Sequence, residues 1–489
     1  MKMHIVHPQH AAWRHSAAYR GHRTASQYPA PVCFTRAANR ESSLPSITEH
    51  DLSVLRETAS LSTSSAGLTQ PHPNSACILV GPDGRRLASA YQRAAGAVSS
   101  EVQALRAVRD GARGGVAYLN LESGDCHGDG AAVRALVDAG ISRVVVGLEH
   151  PLPHARGVAV RALRSAGIDV DVLSSSTPCA AEQANVDDTI MQMLEANEAL
   201  LHRAVLRRPL SILKYAMTLD GKIATASGHS AWVTSPDARA NVFKMRANSD
   251  VVIVGGNTVR RDNPRLTTRQ EGGHAPVRVV MSRTLELPEN ASLWDITTAP
   301  TIVMTQRGAR TAFQAKLRAK GVEVVEFDFL TPEAVADYCY DRGFLQCLWE
   351  CGGVLAAPVI SASVAHKLMA FVAPKIIGGA RAPTPVGDLG FVEMTQALEV
   401  AEAEWQQVGR DLMLTGYFPS SGGLRALERA LGTATSTAPT ASTASGAPAA
   451  AAGHGVAAAT VSRAAAGAAA SASRSADNSS SSSSRVGWW

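Results

Sequence analysis

The sequence predicts an α/β protein in which a layered α/β domain precedes a larger one built on a largely parallel sheet with helices on both faces. Three observations carry that expectation. Short runs rich in Val and Ile alternate with stretches whose apolar residues recur at helical spacing, with Gly, Pro, Asn or Asp at the junctions. Runs such as Asp250-Val-Val-Ile-Val254 are apolar throughout, as strands covered on both faces must be. With 489 residues, 45% of them hydrophobic, the chain can bury more than one core, and about two or three domains are expected.

In chain order, Cys77-Ile-Leu-Val80 reads as a strand that stops at the turn Gly81-Pro-Asp-Gly84. Glu101-Val-Gln-Ala-Leu-Arg-Ala-Val108 reads as an amphipathic helix. Val116-Ala-Tyr-Leu-Asn-Leu121 and Arg143-Val-Val-Val-Gly147 read as buried strands, the second preceded by a helix that ends at Gly140. One connecting helix is predicted from Val186 to Leu206, stopped by Pro209. The second domain opens with Ser211-Ile-Leu-Lys-Tyr-Ala216. It continues through strands at 250–254, 277–281, 301–304, 322–325, 347–349 and 369–372, with helices notably at 238–247 and 312–319. Ligands of such a sheet collect at the carboxyl ends of its strands.

The ends differ from the middle. Residues 1–40 contain no Asp or Glu, and Arg14, Arg20, Arg23, Arg36 and Arg40 are interleaved with Ser, Ala and His. That is the composition of an organelle transit peptide, with an unstructured tail carrying no address as the competing reading. Residues 421–485 are dominated by Ala, Ser, Thr and Gly, which have little to bury and cannot offset their ordering entropy. The expected division is therefore 1–47 transit peptide or disordered, 48–175 first domain, 176–209 connector, 210–418 second domain and 419–489 low-complexity disordered tail. A net charge of +5, much of it near the N-terminus, implies no basic groove for nucleic acid. Seven cysteines without a Cys-x-x-Cys pair suit reduced thiols. No run of about 18 apolar residues exists, so no membrane span is expected.

The chemistry concentrates in Lys214-Tyr-Ala-Met-Thr-Leu-Asp-Gly-Lys222, Ser227-Gly-His-Ser-Ala-Trp232 and Gly255-Gly-Asn-Thr-Val-Arg-Arg-Asp-Asn-Pro-Arg-Leu266. These are glycine-bearing, polar turns between apolar runs, the layout of a nucleotide pocket on strand ends. Glu350-Cys-Gly-Gly-Val-Leu355 follows a strand and opens a helix, so backbone N–H groups can face a pyrophosphate. An ordinary packing turn is the competing reading of that Gly-Gly.

Residues 71–175 resemble the deaminase half of the riboflavin-biosynthesis deaminase–reductase family. The resemblance runs through Pro71-His-Pro-Asn74, Gly96-Ala-Val-Ser-Ser-Glu-Val-Gln-Ala-Leu105, Tyr118-Leu-Asn-Leu-Glu-Ser-Gly124 and Ala139-Gly-Ile-Ser-Arg-Val-Val-Val-Gly147. Such a deaminase holds zinc with a His or Cys from a His-x-Glu turn and two further cysteines, and its Glu shuttles the proton. Here Ser99 stands where the ligand His belongs, Gly124 at the first Cys and Ala132 or Val133 at the second, while Glu101 is kept. Gly, Ala and Val offer no zinc donor and Ser a poor one. No zinc is expected, and Glu101 reads as a carboxylate favoured at a helix N-terminus. Cys126 and His127 are the material for a rearranged metal site, but two neighbouring ligands cannot close a tetrahedron.

Residues 210–418 resemble the reductase half of the same family, ending on Val408-Gly-Arg-Asp-Leu-Met-Leu-Thr-Gly416, and Asn197-Glu198 and Arg208-Pro209 of the connector match as well. A whole reductase beside a ligand-less deaminase is similar to the plant-type monofunctional pyrimidine reductases. The resemblance implies a cytidine-deaminase-like three-layer domain followed by a dihydrofolate-reductase-like domain. It also implies NADPH-dependent reduction of 5-amino-6-(5-phosphoribosylamino)uracil to its ribitylamino counterpart, in a chloroplast. A separate deaminase would act upstream, and the chain would form a homodimer or larger assembly. Reduction of another phosphorylated pyrimidine or pterin, a bifunctional enzyme with a rearranged metal site, and a non-catalytic interaction protein are the alternatives.

Carried over position by position, the resemblance puts substrate near Ser230, Arg246, Leu266, Arg269 and Glu350. Guanidinium forks match phosphate oxygens, so Arg246 and Arg269 are expected to clamp the ribose phosphate, against the plain reading of solvated arginines. Glu350 can accept from uracil N–H or ribose hydroxyls, with a helix cap as the competing role. The dinucleotide maps to Ala216, Trp232, Thr258, Asp262 and the turn of Gly352, Gly353, Val354 and Leu355. Trp232 can stack on the nicotinamide or simply be core. Arg283, where relatives usually have serine, can meet a 2′-phosphate. Lys214 can assist protonation and, with Glu350, forms the expected catalytic pair. Asp220 is a further polar candidate. His366 replaces an acidic residue and is expected to alter a surface contact, and Cys351 replaces a smaller residue beside the cofactor turn.

Overall fold

A computed structural model describes residues 47–436, apart from 95, 125–129, 175–181 and 269–273. The first sheet contains β1 (Ala76–Val80), β2 (Arg86–Tyr91), β3 (Val116–Leu119), β4 (Arg143–Val146) and β5 (Asp169–Val172), in the order β2-β1-β3-β4-β5. β1 is antiparallel to β2 and β3, and β3, β4 and β5 run parallel. Alternate residues of β1 serve opposite cores because side chains alternate across a strand. Ile78 and Val80 pack with α1 (Glu49–Ser62), while Cys77 and Leu79 pack with α2 (Ser100–Val108), α3 (Ala131–Asp138) and α4 (Val158–Ser165). The result is three layers.

α1 begins with a capping box: Thr48 accepts from the Asp51 N–H and Asp51 from the Thr48 N–H. Asp51 also accepts from the Tyr118 hydroxyl at 2.7 Å and pairs with Arg143 at 3.0 Å, which pins the helix to β3 and β4. Where one connecting helix was expected, there are two: α5 (Gln183–Ala196) and α6 (Glu198–Val205). They break at Asn197, whose side-chain amide donates to the Met193 carbonyl, an Asn competing with its own helix backbone. Val186, Met193 and Leu201 then bury against the first sheet's core.

The second sheet holds β6 (Leu210–Thr218), β7 (Val251–Gly255), β8 (Val277–Met281), β9 (Thr301–Gln306), β10 (Glu323–Phe327), β11 (Gln346–Glu350), β12 (Lys367–Ala373), β13 (Ala401–Val408) and β14 (Asp411–Tyr417). Its order is β10-β9-β8-β7-β11-β6-β12-β14-β13. All pairs from β10 to β12 are parallel, and β14 and β13 close the sheet as an antiparallel hairpin. One face carries α10 (Pro332–Asp341) and α11 (Gly353–Ser361), packed over Ile253, Val279, Met304 and the fully buried Trp349. The other carries α8 (Gly256–Asp262) and α9 (Thr311–Ala319) over Val252, Val254, Val280 and Leu348. α7 (Pro236–Ala247) covers the β12–β14 end through Ala238 and Val242.

Two expectations are corrected here. The tail was expected to lose structure from residue 419, yet α12 (Gly423–Ser436) buries Leu424 and Leu427 beside Tyr417 and the connector helices. The rest of that tail lies outside the described residues. His366 was expected at the surface but is 3% exposed. Its Nδ1 accepts from the Ser211 N–H at 3.0 Å and its ring lies 4.8 Å from that of His202. Burial, aided by His202 and Arg208, pushes its pKa down to about 3. Among the described residues no helix is long and apolar enough to cross a membrane.

Candidate active site

The carboxyl ends of β6, β7, β8 and β11 open into one cavity of about 720 Å³. β11 lies between β6 and β7, with Glu350 in register with Lys214. Lys214, Ala216, Ser230, Arg246, Thr258, Asp262, Leu266, Glu350 and the turn of Gly352, Gly353, Val354 and Leu355 all line this cavity, as does Arg283. Residues spread over 140 positions of sequence thus meet at one place because parallel strands all end on the same side of the sheet. Arg269 lies outside the described residues.

At the floor is a buried charge cluster. The Arg246 fork donates to both Glu350 oxygens, Nε to Oε1 at 2.6 Å and Nη2 to Oε2 at 2.9 Å, and Nη1 donates to the Thr267 carbonyl at 3.2 Å. Lys214 Nζ lies 3.9 Å from Glu350 Oε2. Burial alone would raise the Glu350 pKa, but the Arg246 charge and hydrogen bonds, with Lys214, bring it down to about 2. It is a carboxylate at any working pH. Burial lowers the Lys214 pKa, Glu350 opposes that, and Arg246 adds to it. Arg246 lines the cavity, but one N–H on each of its nitrogens already serves a protein acceptor and its side chain is only 6% exposed.

The wall contributed by β7 and α8 depends on glycine. A Cβ on Gly256 would lie 3.1 Å from Ser282 Oγ and 3.2 Å from Leu287 Cδ2, so the β7–α8 turn could not approach β8 so closely. At the far end of α8, Asp262 accepts from Ser230 Oγ at 3.2 Å, and burial raises its pKa against that bond and Arg261. Leu266 is 2% exposed with φ of 53°, a left-handed conformation that costs a leucine on the order of 1–3 kcal/mol. Two arginines hold the carbonyls on either side of it. Arg246 takes Thr267, and Arg278 takes Arg265 at 3.2 Å. Arg278 is fully buried on β8 and also donates to the carbonyls of Leu293, Asp295 and Ala299. Sequence reasoning passed over it, although a lone arginine inside the apolar run Val277-Arg-Val-Val-Met281 was the available signal.

On β11's side, α11 starts at Gly352 with no side-chain cap. Leu355 and Ala356 donate to the Gly352 carbonyl, and among the described residues the Gly353 and Val354 N–H groups of the first turn have no backbone acceptor. A Cβ on Gly352 would meet only Ile223, at 3.5 Å, so this edge of the turn is open. Gly353 is different, because a Cβ there would lie 2.7 Å from the Thr384 carbonyl oxygen. The packing reading describes Gly353, and Gly352 has room for a group to approach its backbone. Cys351 is buried in the core cluster beneath the turn.

Trp232 and Asp220 are not brought in. Trp232 is 57% exposed, has φ of 64° and lies under the Arg239 guanidinium, 4.4 Å from the ring centroid. Asp220 accepts from the Thr218 hydroxyl at 2.6 Å and from the Ile377 and Gly378 N–H groups, tying two turns together outside the cavity. Expectations that placed either in the pocket are corrected by these partners.

The cleft of the first domain contains few donors. Ser99 caps α2, accepting from the Val102 N–H at 3.5 Å. Glu101 is buried and accepts from Ser123 Oγ at 2.5 Å and Ser100 Oγ at 3.1 Å. A Cβ on Gly124 would lie 3.1 Å from Nε2 of the buried His150, whose pKa burial lowers to about 4. His150 was not singled out in the sequence. Among the described residues no group of three His, Cys, Asp or Glu side chains could hold a metal; Cys126 and His127 lie outside them.

The chain is similar to known proteins. The RibD C-terminal domain family matches residues 209–414. The chain is 53% identical over 367 residues to the riboflavin biosynthesis protein PYRR, chloroplastic, of Arabidopsis thaliana, covering 75% of this chain and 61% of that protein. It is 43% identical over 370 residues to the riboflavin biosynthesis protein RibD of Synechocystis, covering 75% of this chain and 96% of the relative. A diaminohydroxyphosphoribosylaminopyrimidine deaminase/5-amino-6-(5-phosphoribosylamino)uracil reductase from Thermotoga maritima superposes with a TM-score of 0.63 at 25% identity, over 76% of this chain and 99% of that one. The chain spans less than two thirds of the Arabidopsis protein but nearly all of the Synechocystis one. It belongs to the RibD family of riboflavin-biosynthesis proteins.

Proposed function

We propose that the chain reduces the sugar of 5-amino-6-(5-phosphoribosylamino)uracil with NADPH and does not itself deaminate. One observation carries this reading. The cavity at the strand ends is lined by five cationic side chains, Lys214, Arg246, Arg260, Arg261 and Arg283, against two carboxylates, Asp262 and Glu350. A formal excess of three positive charges in a half-enclosed cleft attracts ligands that carry phosphates. The open first turn of α11 fits a dinucleotide pyrophosphate, and Arg283, exposed at the end of β8, fits a 2′-phosphate.

When bound, NADPH supplies a hydride to C1′ of the opened, imine form of the ribose. The chain's part is positioning and a proton. Lys214 donates that proton to the imine nitrogen as C1′ is reduced, and solvent reprotonates it afterwards. Its lowered pKa makes the transfer easier, while Glu350 keeps it charged until then. Glu350 also fixes Arg246, which with Arg278 holds the strained Leu266 turn against the substrate.

Ser99, Gly124 and Ala132 supply no ligand set for zinc, so substrate must come from a separate deaminase. The acid-poor leader and the chloroplastic relative support a plastid location. β13 is exposed along nearly all its length at the sheet edge, with Trp405 61% exposed, which supports pairing with a second copy.

The test is anaerobic NADPH oxidation by the full chain with the deaminated pyrimidine, its aminated precursor and phosphorylated pterins. Consumption with the first alone is expected. Ammonia release from the precursor, or a faster pterin, refutes the proposal.

A further inference from the structure

We infer that the deaminase-like first domain braces the floor of the cavity in the second, with Gly67 as a positioning residue that acts through Arg246. This rests on the reductase reading above and gives the first domain a part in it. Two contacts tie the domains together. One is a shared core: Leu52, Ile78 and Val145 of the first domain pack in one apolar cluster with Met193 and Leu201 of the connector and with Tyr417, Leu424 and Leu427 of β14 and α12. The other is the loop 66–75 that leads into β1 and reaches the C-terminal end of α7.

Gly67 lies against the last turn of α7. A Cβ on it would sit 2.4 Å from the Ala247 carbonyl oxygen and 3.0 Å from the Asn248 carbonyl carbon, and its φ is +78°. A residue without a side chain suits both the conformation and the contact. The loop is itself held. The Thr69 hydroxyl donates to Asn74 Oδ1 at 3.0 Å. Asn120, just past β3, donates to the Asn74 carbonyl at 3.0 Å and accepts from the Ala76 N–H at 2.8 Å. Further along the loop, Pro71 packs so closely on the turn between α10 and β11 that a Cβ on Gly343 would be 3.1 Å from its own Cβ. Gln346, which begins β11, donates to the Asn248 carbonyl at 3.2 Å. One loop of the first domain thus touches the end of the helix that carries Arg246 and the turn into the strand that carries Glu350.

Gly67 is not among the residues that line the cavity, so its influence passes through that helix end. Arg246 directly precedes Ala247, and its fork holds Glu350 and the Thr267 carbonyl. A methyl group on Gly67 has to push loop and helix apart by about 1 Å to restore van der Waals spacing. A misplacement of about 1 Å, made far from the reacting atoms, costs up to about 10²-fold in rate.

Gly67→Ala is compared with Gly84→Ala in the full chain. Gly84 has the same φ of +78°, but a Cβ there would meet nothing within 4 Å, so that variant carries the backbone strain without the contact. Turnover of the deaminated pyrimidine, NADPH binding by calorimetry and hydrogen exchange are read for both. Gly67→Ala is expected to lower kcat about ten- to hundred-fold with NADPH binding unchanged. It should also speed exchange of the Asn248 and Ser249 amides, which close the last turn of α7 on the Lys244 and Arg246 carbonyls. Gly84→Ala should match the parent in all three. A parent-like kcat in Gly67→Ala overturns the brace, and so does NADPH binding that falls in step with kcat, which marks a general loosening. Where Gly67→Ala does not fold, Asn74→Ala, which removes the acceptor that holds Thr69, should lower kcat in the same sense, and an unchanged kcat there overturns the brace. If the parent does not reduce the pyrimidine, the reductase reading falls and exchange alone decides. Faster exchange in Gly67→Ala than in Gly84→Ala supports the brace, and equal rates overturn it.

Discussion

Replacing Glu350 with Gln removes the one negative charge at the cavity floor and leaves Arg246 and Lys214 facing an amide. The cost can be worked from the carboxylate itself. Its pKa moves from an ordinary 4.5 to about 2, and at about 1.36 kcal/mol per pKa unit that corresponds to roughly 3 kcal/mol. Breaking a buried ion pair by deleting one partner costs about 3–5 kcal/mol, so the two routes agree. For a domain of this size the melting temperature should fall by roughly 6–12 °C. The sign with pH follows, since a depressed carboxylate pKa stabilises above 4.5 and that contribution is lost as pH falls toward 2. Calorimetric scans of parent and Glu350→Gln at pH 7 should differ by this amount, and the gap should narrow below pH 4.5. Adding Arg246→Met should recover part of the stability, because it removes one of the two stranded charges and leaves Lys214 as the other. It should not recover turnover. Equal melting temperatures for the parent and Glu350→Gln would refute the charge cluster, and so would a double variant that loses stability additively.

Lys214→Met should lower kcat about 10²–10⁴-fold with NADPH binding intact, measured by single-turnover kinetics. Gly353→Ala places a Cβ 2.7 Å from the Thr384 carbonyl oxygen, and it should cost about 1–3 kcal/mol and weaken NADPH, seen by thermal melts and titration. His366 has a folded pKa of about 3 against an ordinary 6.5, so its contribution is present above pH 6.5 and lost as pH falls. At pH 5 the parent should have lost about 2 kcal/mol relative to His366→Asn, which keeps an acceptor for the Ser211 N–H; denaturant melts at both pH values check this. Metal analysis of the purified chain should find well under one zinc per molecule.

What was legible in the sequence follows a physical line. Strands β6, β7, β8 and β11 were readable because a strand buried on both faces is a continuous apolar run. The pocket residues were readable as a set because polar turns at strand ends sit on one side of a parallel sheet. Their partners were not readable. Arg246 and Glu350 are 104 positions apart, and only the neighbouring order of β11 and β6 brings α7's last turn onto that carboxylate. Trp232 shows the same limit from the other direction, since the backbone turn that carries it points the ring at Arg239. α12 was hidden by composition, as two leucines at helical spacing were outweighed by the Ala- and Ser-rich sequence that follows.

The two clefts show how a site persists or fades. In the first domain, Ser99 and Glu101 both have protein partners among the described residues: Ser99 caps a helix, and Glu101 is held by two serines. Apolar cores pack against both faces of that sheet. The second cleft is built the other way. Its floor charges are locked into one another, which fixes geometry, while Arg261 and Arg283 at its walls make no side-chain hydrogen bond or ion pair with another described residue. Two exposed guanidiniums beside a cavity already rich in positive charge repel its other cations. Anions bound in the cavity would relieve that repulsion. The division between locked floor and open wall is therefore itself an argument that this half of the chain binds phosphorylated ligands.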